Sequence, residues 1–400
     1  VSTTTEPLRI GLVSLHTSPG DEPGSGEVGG MNVVVRHQAE ALADRGHHVE
    51  IITRRSAPAQ PDSVSLVPGV CLRFLSAGPA EPVPKGEHDA FIEPFRHGLA
   101  ALGPFDVLHS HHWFSGAAAL PVARDRGIPH VQSFHSIAAD SATPLSEGER
   151  PESAGRMAGE AMLARESDAV VVVSESEAET VRTRLGGDPG RLWIVPPGVD
   201  GSVFRPAAAG ARRADVPYVV AAARVQPLKG LDLAIEAIAG ISQEARPSLV
   251  IAGDSSSEAG DYLAELRRLA AAHGIADRVT FIGPQSRADL AFLFRGAAAV
   301  LVPSHSETYG LVALEGSASG VPVVAAAAGG LREAVVDGET GVVLESRAPE
   351  VWAAEIERIL TEPSYAAELS AAGREHAEHL SWERSAAGLE HVYRRVLGRS

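Results

Sequence analysis

The sequence predicts an α/β chain of two doubly wound parallel-sheet domains facing each other across a cleft. Short apolar strands alternate with helical segments from the start, the alternation pauses once near the middle, and a second full run follows. Strands separated by helices return to a sheet in parallel, with helices covering both faces. The first run is Leu8 to Leu15, a helix from Met31 to Arg45, His48 to Ile52, Val70 to Leu75, Phe105 to His109, His130 to Phe134 and Ala169 to Val173. The second is Tyr218 to Ala223, Ser248 to Ala252, Val279 to Ile282, Val300 to Pro303, Val321 to Ala325 and Gly341 to Leu344. Val199 to Pro206, with the Ala/Gly/Arg-rich stretch to Asp215, is the expected linker. Domains are therefore expected at 1–207 and 215–382, with an amphipathic helix over 383–400 packing back on the first.

Composition narrows the function. Four hundred residues with 44% hydrophobic content form packed cores, and a net charge of -16 argues against nucleic acid or an anionic membrane as partner. No stretch approaches the roughly 18 apolar residues of a membrane span. No charged-then-apolar leader opens the chain, so a cytoplasmic location is expected. The single cysteine, Cys71, excludes an internal disulfide, and its apolar run predicts a core position. No heptad seam announces an oligomer, which leaves monomer or homodimer open.

The most informative stretch is Ser304-His305-Ser306-Glu307-Thr308-Tyr309-Gly310-Leu311-Val312-Ala313-Leu314-Glu315, in which seven residues separate two glutamates. It follows an apolar strand and opens a small-residue helix near Gly310. The N–H groups of Tyr309, Gly310 and Leu311 then offer an anion site between two carboxylates. A diphosphate held there would have a hydroxyl acceptor on each side, as a nucleotide sugar requires. Acidic residues near helix starts are also common as caps, so the context matters. Arg224 and Lys229, in the Pro227- and Gly230-containing loop after the first strand of the second domain, lie on the same rim and can chelate phosphate from one side.

Three other signals have competing readings. Gly24-Ser25-Gly26-Glu27-Val28-Gly29 matches a dinucleotide fingerprint literally, with Glu50 where a ribose-binding acid is sought. Eight residues, His16 to Pro23, separate it from the strand, however, and Gly29 and Gly30 are better placed to let a ligand approach backbone amides. His109-Ser110-His111-His112-Trp113 suggests a metal, but no carboxylate or cysteine cluster accompanies it, so polar cleft lining is the expectation. His135, at the end of another strand, is a base, a hydroxyl binder or a satisfied loop residue.

Together these segments resemble the retaining GT-B glycosyltransferases of the GT4 family, with two Rossmann-like domains, over Arg9 to about Leu397. The resemblance implies that Arg224 and Lys229 bind the donor diphosphate, Glu315 accepts from ribose hydroxyls and Glu307 from the donor sugar. Gly29 and Gly30 approach the diphosphate, His135 lies beside the anomeric carbon, and the main chain near Gln285 meets the base. It also implies an N-terminal acceptor-binding domain, a C-terminal donor-binding domain, and reaction on one sugar face with the leaving phosphate oxygen taking the acceptor proton. Ser14-Leu15-His16-Thr17-Ser18-Pro19, the run from Gly29 to Val33 including Asn32, and Ala77-Gly78-Pro79 before Lys85 further resemble the inositol phosphate N-acetylglucosaminyltransferases of mycothiol biosynthesis. That likeness implies an acceptor phosphate gripped by Lys85, Ser136 and Arg156, with His112 where those enzymes carry a tyrosine. The implied donor is a UDP-sugar. No Asp-x-Asp motif calls for Mg2+, although the ion is compatible, and no other cofactor is required. Alternatives are a specialised-metabolite transferase with another polyol or aminocyclitol acceptor, a UDP-sugar 2-epimerase, and a non-catalytic sugar-nucleotide binder.

Overall fold

A computed structural model describes residues 6–21, 29–139, 143–144, 148, 150–208, 216–254 and 261–398. In the first half the chain runs β1 (Arg9–Ser14), α1 (Gly30–Asp44), β2 (His48–Arg54), β3 (Ser63–Val67), β4 (Val70–Leu75), α2 (Ile92–Ala100), β5 (Val107–His111), α3 (Trp113–Arg126), β6 (His130–Ser133), α4 (Arg156–Glu166), β7 (Ala169–Val172), α5 (Glu175–Thr180) and β8 (Leu192–Ile194). The second half runs β9 (Tyr218–Ala222), α6 (Leu231–Gly240), β10 (Ser248–Ala252), α7 (Tyr262–Ala272), β11 (Val279–Gly283), α8 (Arg287–Gly296), β12 (Ala299–Val302), α9 (Leu311–Ala318), β13 (Val323–Ala326), α10 (Leu331–Ala334) and β14 (Val342–Leu344). Three helices, α11 (Pro349–Thr361), α12 (Pro363–Glu378) and α13 (Trp382–Val396), close the chain.

Two sheets result, ordered β3-β4-β2-β1-β5-β6-β7-β8 and β11-β10-β9-β12-β13-β14. All pairings are parallel except β3 with β4. The central strands are apolar without alternation because both faces are covered: β7 and β12 are buried at every residue. Each order reverses once, beside β1 and beside β9, and such reversals open a crevice at the strands' carboxyl ends. Most predicted elements are present, with β5 ending two residues later than expected, at His111. Neither β3 nor β8 is expected from the sequence: β3 is a largely exposed edge hairpin strand and β8 is three residues long.

One expectation is corrected. Cys71 is half-buried on β4 rather than a core residue. Residues 24–28 of the glycine fingerprint lie outside the described residues. Glu50 pairs with Arg73 and stands beside Gly11 and Cys71, low in the strands and away from the crevice, so it cannot reach a ribose there. Within the Val199–Pro206 stretch, Phe204 is buried among Phe294, Leu314 and Val323 of the second half. Residues 209–215 of the expected linker lie outside the described residues.

The chain passes between the halves twice, and the two passages lie side by side. Val199 N–H donates to Leu380 O at 2.9 Å, Val199 bridges Ser381 in parallel, and a Cβ at Gly198 would stand 2.2 Å from Trp382 N. After this point α13 packs on α1 of the first half. Gln38 Nε2 donates to Ser385 Oγ at 3.0 Å, and Arg45 pairs with Glu390 at 2.6 Å.

Histidines fill part of the first core. Ser133 Oγ donates to Val171 O at 2.9 Å and therefore accepts from His109 Nε2–H at 3.0 Å, which leaves His109 Nδ1 to accept from the Tyr393 hydroxyl at 2.7 Å. Burial holds His109 and His111 well below the usual imidazole range and His130 down to about 3. Groups kept neutral in the fold but free to protonate when unfolded stabilise the native state above pH 6.5, and that stability is lost as pH falls toward the folded values. We expect the melting temperature to drop steeply between pH 6.5 and 4, and less so in His130→Gln. Thermal melts across this range check it.

Candidate active site

The loop after β9 builds one wall. It makes a single 3-10 turn, Pro227–Lys229, in which Pro227 needs no N–H partner, and Gly230 at φ 62° turns the chain into α6. A Cβ at Gly230 would lie 2.1 Å from the Pro303 carbonyl oxygen, so this loop rests on the end of β12. The contact brings Lys229 Nζ to 2.6 Å from Glu307 Oε1, and Ser304 Oγ donates to the same oxygen at 2.8 Å.

Gly310, at φ 111°, caps α9, and a Cβ there would meet Leu331 Cδ2 at 2.4 Å. The helix thus starts at Leu311, and Tyr309, expected in the helix start, precedes the cap with its ring in the core. Glu315 lies just over a turn into α9 and is buried, with Oε1 2.9 Å from Arg287 Nη1. Burial pushes its carboxyl up against the opposing pull of Arg287. Arg287 also lies over the Phe204 ring at 4.8 Å. Sequence reading missed Arg287, whose only signal is its place just after the N-cap Ser286 of α8.

The opposite wall belongs to β1, β5 and β6. Gly29 caps α1, and Asn32 closes the turn: its Nδ2 donates to Thr17 Oγ1 at 2.9 Å and Ser18 O at 2.8 Å. Asn32 therefore holds the loop that the Gly29-Gly30 backbone needs. His112 and His135 both adopt left-handed backbone, at φ 69° and 61°, a conformation that costs a non-glycine residue about 1–3 kcal/mol and gathers at functional sites. His135 Nε2 shares a proton with His111 Nδ1 at 2.8 Å, and burial lowers His135 to about 4, so it is neutral at pH 7.

One cavity of about 770 Å³ joins the walls. Gly29, Gly30, Asn32, Lys85, His112, His135 and Ser136 line it from the first half, and Arg224, Lys229, Gln285, Glu307, Tyr309, Gly310, Leu311 and Glu315 from the second. Gln285 follows β11, its side chain turned onto the carbonyls of Ile282 and Pro284 at 3.1 and 3.0 Å. The histidine run separates: His112 lines the cavity, whereas His109 and His111 are core residues, not cleft lining. Among the described residues, no group of histidine, cysteine and carboxylate side chains is arranged to hold a metal.

Arg156 is the predicted site residue that does not line the cavity. It is 1% exposed, pairs with Glu152 and with Glu160 at 2.7 Å, and donates to Ser136 Oγ at 3.0 Å. Glu152 also accepts from Trp113 Nε1 at 3.0 Å and lies 3.3 Å from His112 Nε2. Lys85 and Arg156 hold the Glu152 carboxyl below its usual range despite burial. The i,i+4 spacing of Glu152, Arg156 and Glu160 is the signal that the sequence offered for this network. Because removing one partner leaves buried carboxylates uncompensated, Arg156→Ala is expected to destabilise the protein by about 3–5 kcal/mol. Urea unfolding measures it; an unchanged midpoint would contradict the buried network.

Against this geometry, residues 28–203 match the family model described as Glycosyltransferase Family 4, and residues 207–376 match Glycosyl transferases group 1. The D-inositol 3-phosphate glycosyltransferase of Stackebrandtia nassauensis is 40% identical over 97% of this chain and 91% of its own. That of Thermobifida fusca is 40% identical over 99% and 95%. Among solved structures, the sucrose-phosphate synthase of Thermosynechococcus elongatus superposes with a TM-score of 0.87 at 31% identity, over 98% of this chain and 100% of its own. Starch synthase IV from Arabidopsis thaliana, bound to ADP and acarbose, shares the fold at a TM-score of 0.75 and 17% identity, over 98% and 100%. With two parallel-sheet domains facing one cleft, the chain belongs to the family 4 glycosyltransferases of GT-B fold.

Proposed function

We propose that this enzyme transfers N-acetylglucosamine, with retention, from its uridine diphosphate to a small phosphorylated cyclitol such as 1L-myo-inositol 1-phosphate. The observation that carries the reading is that a single cavity receives Arg224, Lys229 and Glu307 from one side and His135, Lys85 and Ser136 from the other. The shared name of the curated relatives supports the acceptor class.

In this reading the donor diphosphate lies across the start of α9, where main-chain N–H groups and the helix dipole favour an anion. Arg224 and Lys229 take up the charge that grows on the departing phosphate. Glu307, fixed by Lys229 and Ser304, accepts from hydroxyls of the donor sugar, and Glu315, steadied by Arg287, accepts from the ribose. The bond from the anomeric carbon to the phosphate oxygen breaks, the acceptor oxygen bonds to that carbon on the same face, and the acceptor proton passes to the departing phosphate oxygen. His135, neutral at pH 7, is a hydrogen-bond partner beside this centre rather than a cation. Lys85 and Ser136 face the acceptor phosphate, with Arg156 holding Ser136 in place.

A second reading, an uncharged polyol or aminocyclitol acceptor, draws support from the pairing of Arg156 with two glutamates. Mass spectrometry of products formed with and without 1L-myo-inositol 1-phosphate separates the readings. The expected adduct is sugar plus inositol phosphate with matched release of uridine diphosphate. An adduct only with an unphosphorylated acceptor favours the second reading, and an isomerised donor alone, unchanged in mass and resolved from the starting donor by chromatography, indicates epimerisation. Lys229→Ala is expected to lower kcat by about 10²–10³-fold while the fold persists; near-native turnover would remove Lys229 from the charge role.

A further inference from the structure

Thr308, next in sequence to Glu307, is held by both halves of the molecule. Its Oγ1 donates to the carbonyl of His135 at 2.8 Å, and its own carbonyl accepts from Ser174 Oγ at 2.8 Å. Ser174, fully buried, also accepts from Glu177 N–H at 3.1 Å, so its one proton is committed to Thr308. From behind, the same segment rests on its own domain. Gly330 N–H donates to Glu307 O at 3.0 Å, and Cβ atoms at Gly329 and Gly330 would stand 2.3 and 2.1 Å from the carbonyl oxygens of Glu307 and Thr308. A third tie lies farther along the seam, where the Glu333 carboxylate accepts from the main-chain N–H groups of Glu175 at 2.9 Å and Ser176 at 3.2 Å.

We propose that Thr308 is a positioning residue that registers Glu307 of one domain against His135 of the other, with Glu333 as the second anchor of the same seam. The backing glycines leave the Glu307-Thr308 segment no room to retreat, so the hydroxyl bond to His135 sets the offset between the two walls. The same bond gives the strained His135 backbone a fixed partner. The roles of Glu307 and His135 rest on the transferase reading above; the registration itself does not.

Thr308→Val keeps the shape and removes only the hydroxyl. It is expected to lower kcat about tenfold with the donor KM within about twofold and the melting temperature unchanged, and Thr308→Ser to restore kcat to within about threefold. A side chain that served packing alone would give the opposite order, with Val tolerated and Ser impaired, and that order overturns the proposal. Small-angle scattering of the full chain with uridine diphosphate present reads the domains' approach without turnover. The Thr308→Val, Glu333→Ala double variant is expected to show a larger radius of gyration than the native protein; an identical one overturns the proposal. Should the native protein transfer no sugar, the transferase reading fails while the scattering comparison still decides the registration.

Discussion

Parallel pairing is the constraint on which the site depends. A parallel strand is re-entered from the opposite edge, so every carboxyl end in a sheet points the same way and every loop leaving it falls on one rim. In this chain two such rims face each other. β1, β5 and β6 deliver Thr17, His112 and His135, while β9 and β12 deliver Lys229 and Glu307. None of these loops reverses the chain in a tight hairpin, and each is free to carry polar groups over a core that its own strand has already filled.

Charge is handled locally. The chain as a whole is acidic at -16, yet the cleft presents cations beside carboxylates: Lys229 with Glu307, and Arg287 with Glu315. Each pair keeps its members extended and oriented before any ligand arrives, which lowers the reorganisation that a charged ligand would demand. The deeper network of Glu152, Arg156 and Glu160 does something different. Almost wholly withdrawn from solvent, it fixes the orientation of Ser136 and the edge of α4 and commits its charges to one another.

The fold and the second-half wall of the cavity were largely legible in the sequence because their signals are local. Apolar runs of β7 and β12, the glutamate pair around Gly310, and the Arg224-to-Lys229 loop each carry their geometry within a dozen residues. The first-half wall was less so. Lys85, His112, Ser136 and Arg156 come from four separate segments, and whether a side chain points into a cavity or into a core depends on strand register. One residue of pleat separates His111 in the core from His112 in the cleft, and no local pattern distinguishes them. The burial of Arg156 was only half legible: the glutamates at i−4 and i+4 stand in its own flanking sequence, whereas Trp113, which bonds Glu152, and Ser136 are brought in from separate segments. Arg287 and Thr308 were invisible because their partners lie across the sheet or across the seam.

The side-by-side passages at Gly198-Val199 and Leu380-Ser381 have a mechanical consequence. A single connection between two bodies permits bending and twisting in all directions, whereas two adjacent strands bonded to each other resist torsion. They leave one easy motion, a swing about the line joining them. With Trp382 seated against Gly198, that line runs close to the base of the cleft and α13 travels rigidly with the first body. The rim loops therefore follow arcs about a common axis, and a displacement small at the axis is magnified at the mouth. Any separation of the walls would then be a one-dimensional search, and the carboxylate of one body would return to the histidine of the other in the same alignment.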